Sequence, residues 1–598
     1  MIRRISDTGG PRLVIIGLDG AGFNHLDPIL RSGEVPGFIR LFESGAASDC
    51  ISTIPPLTPP AWSTLLTGVN PGKHGVFDFI QPDESGAFRM VDARFRRRKT
   101  FIDHARESEI RAVSLLVPYT FPPDPQTTGL MISGLGTPSA ESDFIRPHSF
   151  RDVLLADFPF LREVDPTKDQ TLETLHHRLI ENTTSLVDLA RRAMRDLPDW
   201  GILFAVFQAT DLVPHFFSRF FDPAHPDFQP DGPDVPDDFR ESLRRVYRAI
   251  DPFVGECLDA VGREGGWVIL VSDHGSEPLM GAIGKDAFLA RWLEERGYLA
   301  TTGEKGRVRR AALAEMGSVA NRLLYLARRY TPHGVRNAVN VLLGRRKEDI
   351  TSRLTAIPFM EDIVWERTRA FCAPGGYGVG LYINREGDFP HGIVPKGAEY
   401  YRLRDEIRSQ LESLQIAPGV PLFNRVLSRD DALWGPAVGL APDLLLMWRE
   451  DRRLRDNDFR LVAPPSGAQR SLEVFQLVDA SLLDRPEVKP GSGLTWCGTH
   501  RMEGLFGVAG DGVRAGVRLT DAPSLADVLP TIHMLAGLPI PADVDGKIIT
   551  EAFERDFLDT HKPVGGPPED SAGGPTGTVS ADESEKMIEL LQGLGYLH

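Results

Sequence analysis

Residues 13–19 read LVIIGLD, an apolar run closed by an acid. A continuous apolar run of this length, bounded by Gly, Asp or Pro, reads as a strand buried on both faces. The same signature recurs at VSLLVP (113–118), GLMISG (129–134), ILFAVFQ (202–208), WVILVSD (267–273), DLLLMW (443–448) and LFGVAG (505–510). Helical patterns lie between them. From Phe239 to Val261, for example, Leu243, Val246, Tyr247, Ile250, Val254 and Leu258 recur at close to helical spacing. Strands alternating with helices over most of the chain indicate one α/β domain with a mainly parallel sheet.

The 598 residues carry 67 Lys plus Arg against 83 Asp plus Glu, a formal charge of −16, which argues against a general nucleic-acid coat. With 41% hydrophobic and 25% charged residues the composition is that of a globular protein. The four cysteines, Cys50, Cys257, Cys372 and Cys497, show no metal-finger or redox spacing, so a reducing compartment is expected. The N-terminal apolar run is too short for a signal peptide, and no run reaches the roughly 18 residues of a membrane span. A cytoplasmic location is therefore expected.

Three stretches interrupt the pattern. Residues 305–347 hold eleven Lys or Arg and one acid, Glu315, a local charge of +10 interleaved with apolar residues. They read as an inserted basic helical cap, and a weak contact with anionic membrane surfaces is expected there. Without them the rest of the chain carries −26. Residues 562–581, with four Pro and five Gly, read as a flexible linker. Asp582 to His598 reads as a short helix with Met587, Leu590, Leu591 and Leu594 on one stripe. The expected organisation is thus an α/β domain in two parts (1–302 and 351–561), the insertion (303–350), the linker (562–581) and a C-terminal helix (582–598).

The chemistry begins where the strands end: LVIIGLD at Asp19, ILFAVFQAT at Asp211, and WVILVSDH at Asp273 and His274. In open α/β sheets ligands bind beyond the carboxyl ends of the strands, so these groups can converge, although an Asp after a strand is also a common turn or cap residue. Asp211 and His215 stand four residues apart, one helical turn, and can share a metal. Asp and His without Cys favour zinc or manganese over an iron–sulfur site.

These motifs, with Pro55-Pro-Leu-Thr58-Pro-Pro-Ala-Trp62-Ser-Thr-Leu-Leu-Thr67-Gly68 running on to Pro71-Gly-Lys-His74-Gly75, Gly-Thr-His500-Arg, and the closing stretch Ala526 to Gly546, resemble the alkaline phosphatase superfamily. The nearest likeness is to its type I phosphodiesterase/nucleotide pyrophosphatase branch, in the group of predicted phosphohydrolases and phosphomutases. The resemblance implies a three-layer α/β/α sandwich around a mainly parallel sheet and two divalent cations. Asp19, Thr58, Asp273 and His274 match the ligands of one cation, with Thr58 also matching the nucleophile. Asp211, His215 and His500 match the ligands of the second. His500 is one of fifteen histidines and is singled out by the family order alone.

The implied reaction is attack by Thr58 on phosphorus, a covalent phosphothreonine-type intermediate, and hydrolysis, with a small nucleotide-like or lipid-headgroup-like phosphoester as substrate. Transfer to another alcohol, a phosphomutase reaction, or a non-catalytic binding role using the basic insertion are the alternatives. Two departures matter. Nucleotide pyrophosphatases carry Asn three residues after the nucleophile where this chain has Ala61, so an oxyanion donor is expected elsewhere, with the backbone N–H groups near Pro60 to Trp62 as candidates. Sulfatases place Cys or Ser before x-Pro-x-Arg, which Thr58-Pro-Pro-Ala-Trp62 lacks. Thr67-Gly68 to His74-Gly75 reads as a turn packing the nucleophile helix. Arg94 to Lys99, with five bases in six residues, reads as a solvated face or, alternatively, a phosphate-attracting rim. Trp62 and Trp496 read as core or rim residues.

Overall fold

The computed structural model describes residues 12–162, 171–225, 228, 237–279, 285–302, 360, 362–373, 380–417, 419–449, 497–569 and 581–594. The expected basic insertion, most of the Gly/Pro linker and Trp496 lie outside these residues.

In chain order, the strands that matter here are β1 (Arg12–Leu18), β2 (Gly45–Ile51), β3 (Ala112–Val117), β4 (Leu130–Ser133), β5 (Ile145–Arg146), β6 (Ile202–Phe207), β7 (Gly266–Val271) and β8 (Gly275–Pro278). They continue with β9 (Ala370–Cys372), β10 (Gly380–Ile383), β11 (Phe423–Ser428), β12 (Leu444–Trp448), β13 (Gly498–Arg501), β14 (Glu503–Gly510) and β15 (Val517–Arg518). The helices that flank them are α1 (Pro36–Ser44), α2 (Thr58–Thr67), α3 (Phe101–Glu107), α4 (Leu172–Asp196), α5 (Ala209–Phe221), α6 (Ser242–Glu264), α7 (Val528–Ala536) and α8 (Ala581–Leu594).

One nine-stranded sheet runs β15-β2-β14-β7-β1-β6-β3-β4-β5. The block β7-β1-β6-β3-β4 is parallel, with Leu13 opposite Ile202 on one side and Trp267 on the other. β14 joins it antiparallel to β7 and β2, and β5 is antiparallel to β4. Alternation along β1 sends Val14, Ile16 and Leu18 to one face, where they pack with residues of α1, α4, α5 and α6; Leu13 and Ile15 face the other, with residues of α2, α3 and α7. Apolar layers on both faces explain why these strands read as unbroken hydrophobic runs, and helices on each side make a three-layer α/β arrangement.

DLLLMW departs from the reading. As β12 it lies in a separate four-stranded antiparallel sheet, β9-β10-β12-β11, rather than among the parallel strands. A run buried on both faces looks the same whichever direction its partner takes. LFGVAG is in the main sheet but antiparallel. The Phe239–Val261 periodicity corresponds to Asp237–Arg240 followed by α6, and α8 buries Met587, Leu590 and Leu591. All four cysteines are buried thiols. No helix among the described residues is long and apolar enough to cross a membrane.

Candidate active site

Asp19 follows β1, and its backbone N–H is tied to the Phe207 carbonyl of β6 at 3.1 Å. The next residue, Gly20, has φ +66°, and its N–H donates to Asp273 Oδ1 at 3.2 Å. A Cβ there would lie 2.5 Å from Asp211 Oδ1, so glycine is what lets the Asp19 turn approach α5. Thr210 closes the same junction by donating its hydroxyl to the Asp19 carbonyl at 2.6 Å. One helical turn then sets Asp211 Oδ1 3.2 Å from His215 Nε2. Beyond β7, Ser272 Oγ accepts from the Ala21 N–H and donates to the His274 carbonyl, which shapes the turn carrying Asp273 and His274. His500 arrives from β13, whose antiparallel pairing with β8 places it opposite Ser276.

All seven residues named from the sequence come together, and all are buried. His274 Nε2 lies 3.2 Å from Asp273 Oδ2, 3.7 Å from Asp19 Oδ1 and 3.4 Å from Thr58 Oγ1. His500 Nε2 lies 3.6 Å from Asp211 Oδ1 and 3.0 Å from His215 Nε2. The His274 and His500 rings stack at 3.7 Å. Two sets of ligand-type atoms each fall within 4.8 Å: Asp19 with Asp273 and His274, and Asp211 with His274 and His500. His274 belongs to both and joins two adjacent centres.

The histidines are aimed by backbone. Nδ1 of His215 donates to the Gly498 carbonyl, that of His274 to Gly275 and that of His500 to Pro56, at 2.9, 3.1 and 2.9 Å. A neutral ring with its proton on Nδ1 presents a bare lone pair on Nε2, and every Nε2 turns inward. These carbonyls have no sequence signature, and neither does the role of Trp62, whose indole N–H reaches Asp19 Oδ2 at 3.4 Å from a fully buried position.

Charge makes the same point. Burial, Asp273 and Asp211 push the Asp19 carboxyl well above the usual carboxylate range, and burial together with Asp211 raises Asp273 to about 6. Burial and the neighbouring His274 hold His500 well below the usual imidazole range. Asp19 Oδ1 and Asp273 Oδ2 are buried without a hydrogen-bond partner among the described residues. Three clustered carboxylates facing three inward lone pairs are costly unless cations sit among them, so the residues fit two dications with an N/O donor preference.

Thr58 is the first residue of α2, where the positive end of the helix favours an anion. The backbone donors expected near Ala61 are not spare: Pro59 and Pro60 have no N–H, and Ala61 N–H donates to Leu57 at 2.9 Å. α2 stops at Gly68 (φ +67°), and His74 Nε2 bonds Thr64 Oγ1 at 2.9 Å, so the following turn braces this helix. The basic run makes no open rim. Arg94 pairs with Asp92, Arg97 with Glu84, Arg98 with Asp543 and Lys99 with Glu107, while Arg96 is buried.

Two solved structures are similar to this chain at low identity. Phosphonoacetate hydrolase from Sinorhizobium meliloti 1021, in complex with phosphonoacetate, is 15% identical, with 88% of this chain and 96% of that chain covered and a TM-score of 0.47. Wild-type alkaline phosphatase PafA is 13% identical, with 91% and 99% covered and a TM-score of 0.48. No curated protein matches the sequence. The family described as type I phosphodiesterase / nucleotide pyrophosphatase matches residues 13–367, which carry six of the seven clustered residues. That match spans more than half of the 598 residues, and the chain therefore belongs to the type I phosphodiesterase/nucleotide pyrophosphatase family of phosphoester hydrolases.

Proposed function

We propose that this chain hydrolyses a phosphodiester or pyrophosphate through Thr58. Two divalent cations, zinc or manganese by their donor set, would be held by Asp19, Thr58, Asp273 and His274 on one side and by Asp211, His215 and His500 on the other. The observation that carries this reading is Thr58 Oγ1, buried at a helix N-terminus and 3.4 Å from His274 Nε2, inside a cluster of six further ligand-type side chains. When bound, the cations supply charge stabilisation to the attacking and departing oxygens.

The rest falls to the chain. Thr58 opens α2, so the positive end of that helix's dipole lies beside the phosphoryl group it would attack. The Oγ1–P bond forms as the bond from phosphorus to the leaving oxygen breaks, and the proton lost from the hydroxyl passes through solvent to the departing oxygen. The resulting phosphothreonine is cleaved when water adds to phosphorus, the Oγ1–P bond breaks and one proton of that water restores the threonine hydroxyl. Asp19 is held for this task by the Trp62 indole, and each histidine by a carbonyl. The family name and the buried centre support a small nucleotide-like or lipid-headgroup-like substrate.

The test is Thr58→Ala beside Thr58→Ser, assayed on an aryl phosphodiester with metal content measured in parallel. Thr58→Ala should lose activity by about 10³-fold or more while retaining most metal, and Thr58→Ser should keep part of it. Undiminished turnover in Thr58→Ala would remove Thr58 as the nucleophile. Product analysis with an added alcohol separates hydrolysis from transfer.

A further inference from the structure

His500 stands on a strand with little support of its own. Among the described residues β13 pairs with β8 alone, in a two-stranded sheet separate from the main one. An isolated pair of strands is marginally stable. The placement of this ribbon, and with it of His274 just before β8 and His500 on β13, therefore depends on what grips it from outside.

The helix of Asp211 and His215, α5, grips both strands. On the β13 side the Cys497 N–H donates to the His215 carbonyl at 2.6 Å, and Ser218 Oγ donates to the Cys497 carbonyl at 2.6 Å. On the β8 side the link runs through three side chains. Asp222, just past the end of α5, has its Oδ2 2.9 Å from His25 Nε2, and His25 Nδ1 lies 3.3 Å from Oγ of Ser276, the residue opposite His500 in the ribbon. Asn24, next to His25, adds a bond from Nδ2 to the Ser276 carbonyl at 2.9 Å. Burial opposes ionisation of the Asp222 carboxyl, but the bond from His25 outweighs it and holds the group below the usual carboxylate range. An ionised Asp222 can only accept, so His25 donates from Nε2 and takes the Ser276 hydroxyl proton on Nδ1.

Ser, His and Asp in this order are the groups of an acyl-transfer triad, but Ser276 is 0% exposed and cannot meet a substrate. What the three residues share is their place in the chain. His25 stands six residues after Asp19, Asp222 seven after His215 and Ser276 two after His274. One hydrogen-bonded line thus joins three segments that each deliver residues of the cluster. We propose that Asp222, His25 and Ser276 are positioning residues that hold the β8–β13 ribbon against α5 and so set His274 and His500 against Asp211 and His215 around a cation; the proposal rests on reading those four as cation ligands.

The test uses the full-length chain, with zinc affinity measured by competition with a chelator and the visible spectrum recorded on the cobalt-loaded chain. His25→Phe keeps a ring against Phe221 but has no ring nitrogen. It should weaken the binding of at least one zinc ion by about tenfold or more and shift the cobalt bands. Asp222→Asn should stay within about twofold of the wild type with unshifted bands, because an amide can donate to Nε2 while Nδ1–H turns to Ser276 and the line survives with its protons reversed. Ser276→Ala removes a single oxygen and should cost about threefold or more in zinc affinity, which keeps the test decisive if His25→Phe does not fold. A lower melting temperature with zinc affinity and cobalt bands unchanged, in Ser276→Ala and in His25→Phe where it folds, would reduce the line to a folding contact and overturn the proposal. So would a loss in Asp222→Asn as large as in His25→Phe. A wild type that holds fewer than two zinc ions would instead overturn the ligand reading beneath it.

Discussion

His215 and His500 face each other through their Nε2 atoms at 3.0 Å, and His104 and His533 face each other at 3.2 Å through Nδ1 of one and Nε2 of the other. Both pairs are packed inside the protein, yet they complete their hydrogen bonding differently. In the first pair each Nδ1 is committed to a carbonyl, Gly498 or Pro56, so two lone pairs point at one another and at Asp211. In the second, His533 Nδ1 donates to the Pro539 carbonyl at 2.7 Å, its Nε2 accepts from His104 Nδ1, and His104 Nε2 meets Glu569. One proton between His104 and Glu569 completes that line. A cation placed among the two Nε2 atoms and Asp211 would satisfy all three lone pairs at once, whereas without one a ring would have to carry a second proton on Nε2 beside the Asp211 carboxylate. The ring nitrogens captured by the backbone thus separate a pair that fits a cation from a proton-linked strut.

Removing the metal-directed side of this contrast should have the largest effect. Asp211→Asn combined with His215→Ala is expected to lose about one metal per chain and about three orders of magnitude in diester turnover. Elemental analysis and the aryl diester assay check both. Unchanged metal content would mean that the facing lone pairs are resolved some other way. The glycine behind the centre gives an intermediate effect. In Gly20→Ala the new Cβ would press on Asp211 Oδ1 from a left-handed backbone. A stability loss of about 1–3 kcal/mol by denaturant titration is expected. A tenfold or greater fall in metal affinity, on the order seen when ligand support is disturbed, should accompany it.

How far this centre can be read from the chain follows from the same geometry. Asp19, Asp211, Asp273 and His274 are legible because strand ends at one edge of a parallel sheet must point to one crevice, and Asp211 with His215 because one helical turn links them. His500 is not, since antiparallel pairing of β13 with the sequence-distant β8 carries it in, and pairing across that separation leaves no spacing to read. Thr58 becomes legible only through the family motif, its Pro-Pro context otherwise being that of any helix start. The carbonyls of Gly498, Gly275 and Pro56 carry no residue-type signal, although they decide that Nε2 faces inward. In the fold, GAASDCI escapes because its small residues lack the apolar signature, yet β2 lies beside β14 in the main sheet. DLLLMW is found as a strand but assigned to the wrong sheet, because hydrophobicity reports burial and not partner direction.

The smallest effect tests the other half of the contrast. His533 is fully buried, and burial together with the adjacent His104 lowers it to about 3. Its unfolded value is about 6.5, so between these limits the unfolded chain takes up a proton that the folded chain refuses. The stability linked to keeping His533 neutral is therefore complete above about pH 6.5 and is lost as the pH falls towards about 3. His533→Gln removes that titration. Between pH 7.5 and pH 5 the variant should lose less stability than the wild type, by about 2 kcal/mol at most, from 1.36 kcal/mol per unit over the interval below 6.5. Denaturant titrations at the two pH values measure the difference, and equal losses in both proteins would show that His533 already takes up its proton in the folded state. Metal content should be the same in both at neutral pH. A variant that lost metal would mean that the strut and the centre are coupled, and the separation drawn from their ring nitrogens would fail.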